Sequence, residues 1–174
     1  NRQGRVIGTN LADGKATFPG AVGSWVVKLF EQSACGAGLT IESALKEGFD
    51  AISVHVEQFD RAHFFPEKAL MSLELVVDKP TRRVLGIQGM SLLGDALTAR
   101  INAVVPLLKA HATVEEVSNL EVVYSPPFAS AMDIVNAVAN VTENVLEGRN
   151  HMVSPSQFAT LWANRDAEDI FFID

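Results

Sequence analysis

A chain of 174 residues with 48% hydrophobic and 20% charged residues has enough apolar matter for one core, and it predicts a globular protein of one main domain. Its formal net charge of −7, with no run of Lys and Arg longer than Arg82-Arg83, argues against nucleic acid or an anionic membrane as partner. No apolar run approaches the roughly 20 residues that cross a bilayer, and the single cysteine, Cys35, cannot form an internal disulfide, which favours a reducing, cytoplasmic setting.

The first third of the chain predicts two helices. The opening "NRQGRV" is polar, so no secretory or transit segment is expected, and the chain reads as a piece of a longer protein. Between Ala21 and Ser33, apolar residues recur at helical spacing and predict one buried face: Val22, Trp25, Val26, Leu29 and Phe30. A short helix is predicted over Ile41 to Glu47, with Thr40 as its N-cap and Gly48 in a left-handed conformation after it.

A strand-rich region follows, where the apolar period changes from 3.6 to 2. Alternation over Ile52 to Val56 and over Met71 to Val77 predicts two strands. The turn residues Asp78 to Thr81 lead into "RRVLGIQG", so the second and third strands are expected to form an antiparallel hairpin.

Helical spacing returns with an apolar stripe from Leu93 to Leu108. Pro106 lies inside this stripe and is expected to kink or end the helix, because proline removes one backbone hydrogen bond. Thr113 and Glu116 have the spacing of a capping box, which predicts a short helical turn before the next element.

The segment from Leu120 to Tyr124 is apolar and predicts a fourth strand. Ser130 and Asp133 match a looser capping signature for a helix that Gly148 is expected to end. Together these elements predict an α+β fold in which helices pack on an antiparallel sheet of about four strands, with the domain ending near residue 148.

The last segment predicts the start of a second domain. Residues 149–153 form a candidate linker, and Ser154, Pro155 and Gln157 form a capping box for a helix whose apolar face is Phe158, Leu161 and Trp162. The closing "IFFID" is fully apolar and predicts a strand buried on both faces.

Tyr124 is the only tyrosine of a chain that has ten phenylalanines. It ends an apolar stretch and precedes Pro126 and Pro127, which cannot continue a sheet ladder, so its ring is expected at the end of a strand. Two interpretations are open at this point: a phenol that contacts a substrate, or a buried tyrosine with one satisfied hydroxyl.

Several stretches together resemble the carboxy-terminal dimerisation domain of the pyridine nucleotide-disulfide oxidoreductases. Within that superfamily the chain is similar to the branch of coenzyme A disulfide reductases, NADH oxidases and peroxidases, and NAD-dependent persulfide or polysulfide reductases. The likeness covers residues 1–147, and none of the four histidines is followed by the Pro-Thr of glutathione-reductase-like members. The stretches that carry it are "GTNLADG", "FPGAVGSWVVKLFEQSACGAGLT", "FFPEKALMSLELVVD", "GIQGMSLLGDALTARINAV" and "VVYSPPFASAMDIVN".

The resemblance implies three parts: the end of an FAD-binding domain over residues 1–13, the dimerisation domain over 14–148, and over 149–174 a linker with the first helix and strand of a rhodanese-like domain. It also implies a homodimer whose cofactors are FAD and NAD(P)H, with coenzyme A as a further candidate. Flavin and redox cysteine would lie in amino-terminal domains that this chain lacks, so the chain alone is expected to be inactive. The dimerisation domain of the partner would lend Tyr124 to the site, where its hydroxyl protonates or stabilises a leaving thiolate.

One departure from the family concerns the loop that reads "RAHFFPEK". The family often has a second tyrosine there, whereas this chain has Phe64 and Phe65, which can line a thiol channel but cannot donate a proton. A persulfide or polysulfide is therefore favoured over coenzyme A disulfide. His63 is a candidate replacement donor, although a loop histidine can equally be only exposed. With Pro126, Pro127 and Phe128, these loop residues complete the expected substrate contacts.

The remaining motifs favour structural roles. Cys35 has no partner at redox or metal spacing and is expected to be a small buried residue, and "GAGLTI" and "GIQGMS" lack the G-x-G-x-x-G of a dinucleotide site. No metal site is expected. Two alternatives to a sulfur reductase are open: an NADH oxidase or peroxidase of the same superfamily, or a purely structural module. The structural module predicts a buried Tyr124 hydroxyl bonded to backbone, whereas an enzyme predicts Tyr124 and Phe65 near one another on an exposed edge.

Overall fold

The computed structural model describes residues 1–153, 155–167 and 170–173. Its helices are α1 (Arg2–Leu11), α2 (Ile41–Lys46), α3 (Gly94–Ala110), α4 (Val114–Ser118), α5 (Ile134–Leu146) and α6 (Pro155–Asn164). Its strands are β1 (Trp25–Leu29), β2 (Gln32–Gly38), β3 (Ala51–Phe59), β4 (Leu70–Asp78) and β5 (Val84–Ser91).

The five strands form one antiparallel sheet in the order β1-β2-β5-β4-β3. The predicted α+β class is confirmed, and so is the hairpin between β4 and β5, in which Leu75 lies opposite Ile87. Helix α3 packs on β2 and β5, and α5 packs on β3 and β4, so both helices cover the same face of the sheet. The core lies between them and the inward side chains of the strands, among them Leu73, Ile87 and Ile101.

The predicted helix over Ala21 to Ser33 is wrong, because this stretch forms the hairpin of β1 and β2, with Trp25 opposite Gly36. Phe30 makes the turn with a φ of 54°, although it is not one of the residue types that favour this conformation. Every residue of the edge strand β1 is exposed and apolar residues lie on both of its faces, so the alternation that marks a half-buried strand is missing.

The predicted strand over Leu120 to Tyr124 is also wrong, and this stretch is an extended loop. In place of a neighbouring strand, the side chain of Asn136 on α5 donates to the carbonyl oxygens of Leu120 at 2.9 Å and Ser118 at 3.1 Å. Val123 is 96% exposed, so the apolar sequence here does not mark burial.

The remaining helix signals mostly hold. Helix α3 continues through Pro106, which is exposed, and it buries Leu97, Ile101, Val104 and Leu108. The Thr40 side chain caps α2, and Glu116 accepts from the backbone N–H of Thr113 at 2.8 Å, as the capping box requires. Helix α5 is capped by Asp133, whose carboxylate accepts from Val135 N at 3.1 Å, and not by Ser130, with which the predicted signature begins. Gly48 and Gly148 have positive φ as expected.

In the carboxy-terminal segment, the chain folds back after helix α6 so that Phe172 packs on the helix. The Phe172 ring lies 5.2 Å from that of Phe158 and 5.0 Å from that of Trp162, measured between centroids. Residues 170–173 are not paired with another strand. The strand predicted for "IFFID" needs neighbouring strands that this chain does not supply, so it stays a prediction. Ser154 and Asp174, which the capping-box and strand predictions include, lie outside the described residues. Over the described ranges, no helix combines the length and hydropathy that crossing a membrane requires.

Candidate functional site

Two loops meet beside the free edge of β3, and they carry all the predicted site residues. The β3–β4 loop comprises residues 60–69 and holds His63, Phe64 and Phe65. The tyrosine loop comprises residues 119–133, between α4 and α5, and holds Tyr124. Both loops lie at the end of the sheet where β3 ends and β4 begins, because the tyrosine loop is hydrogen-bonded there to the last residues of β3 and to the loop that follows it.

Hydrogen bonds join the tyrosine loop to β3 and its following loop. They run from Ala62 N to Pro126 O at 3.3 Å, from the Ser130 hydroxyl to Phe59 O at 3.2 Å, and from Gln58 Nε2 to Met132 O at 3.1 Å. Because all three acceptors are backbone carbonyls, each bond fixes the path of the chain as well as a side chain.

Each loop is also ordered internally. The buried carboxylate of Asp60 accepts from Ala69 N at 3.0 Å and from Arg61 Nε at 2.8 Å, which closes the β3–β4 loop at its two ends. In the tyrosine loop, Phe128 N and Ala129 N both donate to Ser125 O, at 2.8 Å and 3.0 Å. The turn after Tyr124 is therefore compact, as the two prolines predict.

Tyr124 and His63 line one shallow surface depression of about 400 Å³, together with Ala62 and Met132. Tyr124 is 53% exposed, and within the described residues its hydroxyl makes no hydrogen bond. The side chain thus differs from the buried, backbone-bonded phenol that a purely structural role predicts. Its hydroxyl is free to bond a group from outside the chain.

The phenylalanines predicted to contact substrate, Phe64, Phe65 and Phe128, do not line this depression. Phe64 is two-thirds exposed and lies edge-on to His63 at 5.5 Å, with Phe65 beside it at 4.9 Å between ring centroids. Phe128, 72% exposed, lies instead in a second depression of about 590 Å³, between α3 and the tyrosine loop. Pro126 and Pro127 are half-buried, and Pro126 contributes its carbonyl oxygen to the bond that joins the two loops.

One residue of the site, Arg100 on α3, has no signal in the sequence beyond its place between the buried residues Leu97 and Val104. Its guanidinium forms an ion pair with the buried Asp133, at 2.9 Å between Nη2 and Oδ2. An arginine beside the apolar residues of a helix can extend its charged group into solvent or form a buried ion pair. The sequence pattern is the same in both cases, so only the structure distinguishes them.

Cys35 lies in the core, as predicted, and away from the two loops. Burial raises the pKa of its thiol, against the lowering effect of hydrogen bonds from Thr98 and from the backbone of Gly36. A buried thiol of raised pKa is a poor nucleophile. Among the described residues, no group of three or more His, Cys, Asp or Glu side chains is placed to bind a metal ion.

Comparison with known families gives the match that decides the identity of the fold. The model of the "Pyridine nucleotide-disulphide oxidoreductase, dimerisation domain" matches residues 26–135, which run from β1 into α5 and include both loops of the site. The chain belongs to this family.

Two solved structures resemble this dimerisation domain. An FAD-dependent pyridine nucleotide-disulphide oxidoreductase from Desulfovibrio vulgaris is 64% identical with a TM-score of 0.70, over 84% of this chain and 32% of that one. The NAD-dependent persulfide reductase from A. fulgidus is 35% identical with a TM-score of 0.84, over 88% of this chain and 28% of that one.

Among curated proteins, the NAD(P)H sulfur oxidoreductase (CoA-dependent) of Pyrococcus abyssi is 34% identical to this domain over 141 residues. That alignment covers 81% of this chain and 31% of the relative. The domain therefore spans about a third of the length of the proteins it matches, and their activities belong to much longer chains.

Proposed function

We propose that the full-length protein containing this domain is a homodimeric reductase of persulfide or polysulfide sulfur, and that each subunit lends Tyr124 to the active site of its partner. The observation that carries the proposal is the exposed Tyr124 hydroxyl, which has no bonding partner among the described residues and lies on a loop that is hydrogen-bonded to the β3–β4 loop. An exposed phenol on an ordered backbone is suited to meet a group that another subunit presents.

The cofactors proposed for the full-length protein are FAD and NAD(P)H, bound mainly by domains outside this chain. The sequence contains no G-x-G-x-x-G, the glycine pattern that lets a strand, a turn and a helix receive a pyrophosphate. In the proposal, the nucleotides bind to segments outside this chain, and the bound flavin would supply the electrons. Residues 1–13 are then the end of the FAD-binding domain, and residues 149–174 begin a rhodanese-like domain.

The role of Tyr124 follows from the chemistry of sulfur–sulfur cleavage. When such a bond is reduced, a sulfur anion leaves, and a neutral hydroxyl within hydrogen-bond reach stabilises or protonates it without adding a fixed charge. His63 lines the same depression, and its imidazole N–H offers a second donor.

The substrate class rests on the two phenylalanines. Phe64 and Phe65 stand where related enzymes often have a second tyrosine, and neither can donate a proton. Reduction of coenzyme A disulfide releases two coenzyme A thiolates, whereas reduction of a persulfide releases one thiolate and one sulfide, so a site with fewer donors is better suited to a persulfide or polysulfide. The likeness to enzymes named for persulfide and sulfur reduction supports this choice.

Turnover of the full-length protein with NAD(P)H tests the proposal. The acceptors are coenzyme A persulfide, polysulfide, coenzyme A disulfide and oxygen, and the variants are wild type and Tyr124→Phe, each checked for folding and dimerisation. Loss of an acid or oxyanion donor is expected to lower turnover with the preferred sulfur acceptor by about 10²-fold. Unchanged turnover in an intact Tyr124→Phe dimer would overturn the role of the hydroxyl, and oxygen as the best acceptor would favour an NADH oxidase.

The reverse substitution serves as the matched variant for specificity. Phe64→Tyr and Phe65→Tyr each add the hydroxyl that this loop lacks, at a position exposed enough to accept it. One of them is expected to raise turnover with coenzyme A disulfide relative to persulfide. If neither changes this ratio, the missing hydroxyl does not set the substrate class.

A further inference from the structure

The guanidinium of Arg100 lies at the junction of the two loops, and the Arg100 side chain is only 12% exposed. Its Nε and Nη2 donate to Asp133 Oδ2 at 3.1 Å and 2.9 Å, and its Nη1 donates to Ala96 O at 3.3 Å within α3. Its Nη2 also donates to two backbone carbonyl oxygens, Asp60 O at 3.0 Å and Phe128 O at 3.2 Å. Because Nη2 has two hydrogens for three oxygens, at least one hydrogen is shared.

The two carbonyls belong to different loops. Asp60 begins the β3–β4 loop, and its carboxylate closes that loop against Ala69. Phe128 ends the compact turn that starts at Ser125, directly after Tyr124. One side chain on α3 therefore fixes the loop of His63 and the loop of Tyr124 to the same helix.

Asp133 gives this arrangement a rigid base. It is 3% exposed, caps α5 through Val135 N, and pairs with Arg100, so its buried negative charge is both hydrogen-bonded and neutralised. Only a guanidinium can serve four acceptors here, because its five donors lie in one plane, whereas a lysine ammonium has three donors at a single point.

We propose that Arg100 is a positioning residue, which sets the placement of Tyr124 and His63 relative to one another without touching the substrate. Its effect on turnover rests on the function proposed above, whereas its effect on the order of the tyrosine loop does not. The competing explanation is that Arg100 only neutralises Asp133 and stabilises the domain.

Arg82 provides a matched control for that explanation. It too is a partly buried arginine that pairs with carboxylates from separate elements, Glu115 on α4 and Glu147 after α5. Neither pair involves the two loops of the site. Arg82→Lys therefore reports the cost of weakening an ion pair that joins elements, without displacing Tyr124.

The experiment uses full-length protein labelled with 3-fluorotyrosine, in which the ¹⁹F resonance of Tyr124 is assigned from its absence in Tyr124→Phe. Arg100→Lys is expected to shift or broaden this resonance and to lower turnover with the sulfur substrate by about ten- to a hundredfold, the scale that misplacement by about 1 Å produces. Arg82→Lys is expected to leave both unchanged. In a Tyr124→Phe background, Arg100→Lys is expected to cost fewer-fold in turnover than it does in the wild type, because the contribution of the Tyr124 hydroxyl is already gone and only that of His63 is left to disturb.

Two results would overturn the proposal. One is a Tyr124 resonance that is identical in wild type and in folded Arg100→Lys. The other is a fold loss of turnover from Arg100→Lys that is as large in the Tyr124→Phe background as in the wild type. If Arg100→Lys does not fold, Asp133→Asn replaces it, since asparagine retains the N-cap and an acceptor but removes the charge. That variant is expected to broaden the Tyr124 resonance, and an unaltered resonance counts against the proposal. If Tyr124→Phe alone retains turnover, the proposed function fails, while the ¹⁹F comparison still decides the role of Arg100.

Discussion

Ala62 donates its backbone N–H to the carbonyl oxygen of Pro126 across 3.3 Å, and this bond joins the two loops through residues that are more than sixty positions apart in the sequence. The bond at Ala62 leaves His63 beside Tyr124 in one depression. The site therefore depends on long-range backbone contacts, and weakening those contacts is expected to affect the loops before it affects the core.

Ser130→Ala tests this dependence. The substitution removes the hydroxyl that donates to Phe59 O at 3.2 Å, so the tyrosine loop loses one of its bonds to β3. The expected cost is about 1 kcal/mol of stability, the usual net value of one hydrogen bond. Hydrogen–deuterium exchange is expected to rise in residues 124–133 and to stay constant in β4.

Ser118→Ala is the control for that experiment. The Ser118 hydroxyl also donates to a backbone carbonyl, Glu115 O at 3.1 Å, but this bond is local to α4. It is expected to leave exchange in the tyrosine loop unchanged. Equal exchange changes in the two variants would show that the hydrogen bond of Ser130 does not order the loop.

The sequence predicted β3, β4, β5 and the hairpin of β4 and β5, because their alternation is clear and one face of the strands is buried, but it missed β2. It failed at β1, where an edge strand with apolar side chains on both faces has no period of 2, and where Phe30 makes the turn without glycine or asparagine. In both respects the missing information is in the tertiary surroundings of the strand.

In the candidate site, too, some residues could be predicted from the sequence and others could not. Tyr124 could be singled out because it is the only tyrosine and precedes two prolines. Arg100 could not, because its acceptors are backbone carbonyls of Asp60 and Phe128, which carry no trace in the residue types. The sequence also placed Tyr124 at the end of a strand, whereas the side chain of Asn136 takes the place of that strand's partner.

Gly86 on β5 is a position where the fold requires glycine. A Cβ atom there would overlap the carbonyl oxygen of Leu39 and lie 2.7 Å from the Leu39 backbone nitrogen. Since backbone cannot rotate away as a side chain can, Gly86→Ala is expected to cost at least about 2 kcal/mol of unfolding free energy. Native-state hydrogen exchange of the amides in β2 and β5 gives this free energy.

Gly8→Ala is the matched control, because a Cβ at Gly8 in α1 would meet nothing within 4 Å. Alanine is favoured over glycine inside a helix by about 1 kcal/mol, so this variant is not expected to destabilise the protein. A Gly86→Ala protein as stable as Gly8→Ala would mean that Leu39 can move away from β5.

The ion pair of Arg82 and Glu115 predicts a pH dependence of stability. Burial acts to raise the pKa of Glu115, but hydrogen bonds from its own backbone, from the Thr113 hydroxyl and from Arg82, with the charge of Arg82, outweigh it and lower that pKa below the usual 4.5. A carboxylate whose pKa is lower in the folded state stabilises the fold above its unfolded pKa, and this stabilisation is lost as the pH falls through the folded value. Glu115→Gln is therefore expected to cost about 0.5 kcal/mol at pH 7, a typical value for a partly exposed pair, and progressively less below about pH 4.5.

Unfolding of wild type and Glu115→Gln, each measured from pH 7 down to pH 3, checks this sign. In an Arg82→Met background the same substitution is expected to cost less at pH 7, because the guanidinium that favours the charged carboxylate is gone. A difference between wild type and Glu115→Gln that is constant down to pH 3 would contradict the prediction, since the Gln variant would then differ by packing alone and not by the charge that Arg82 neutralises.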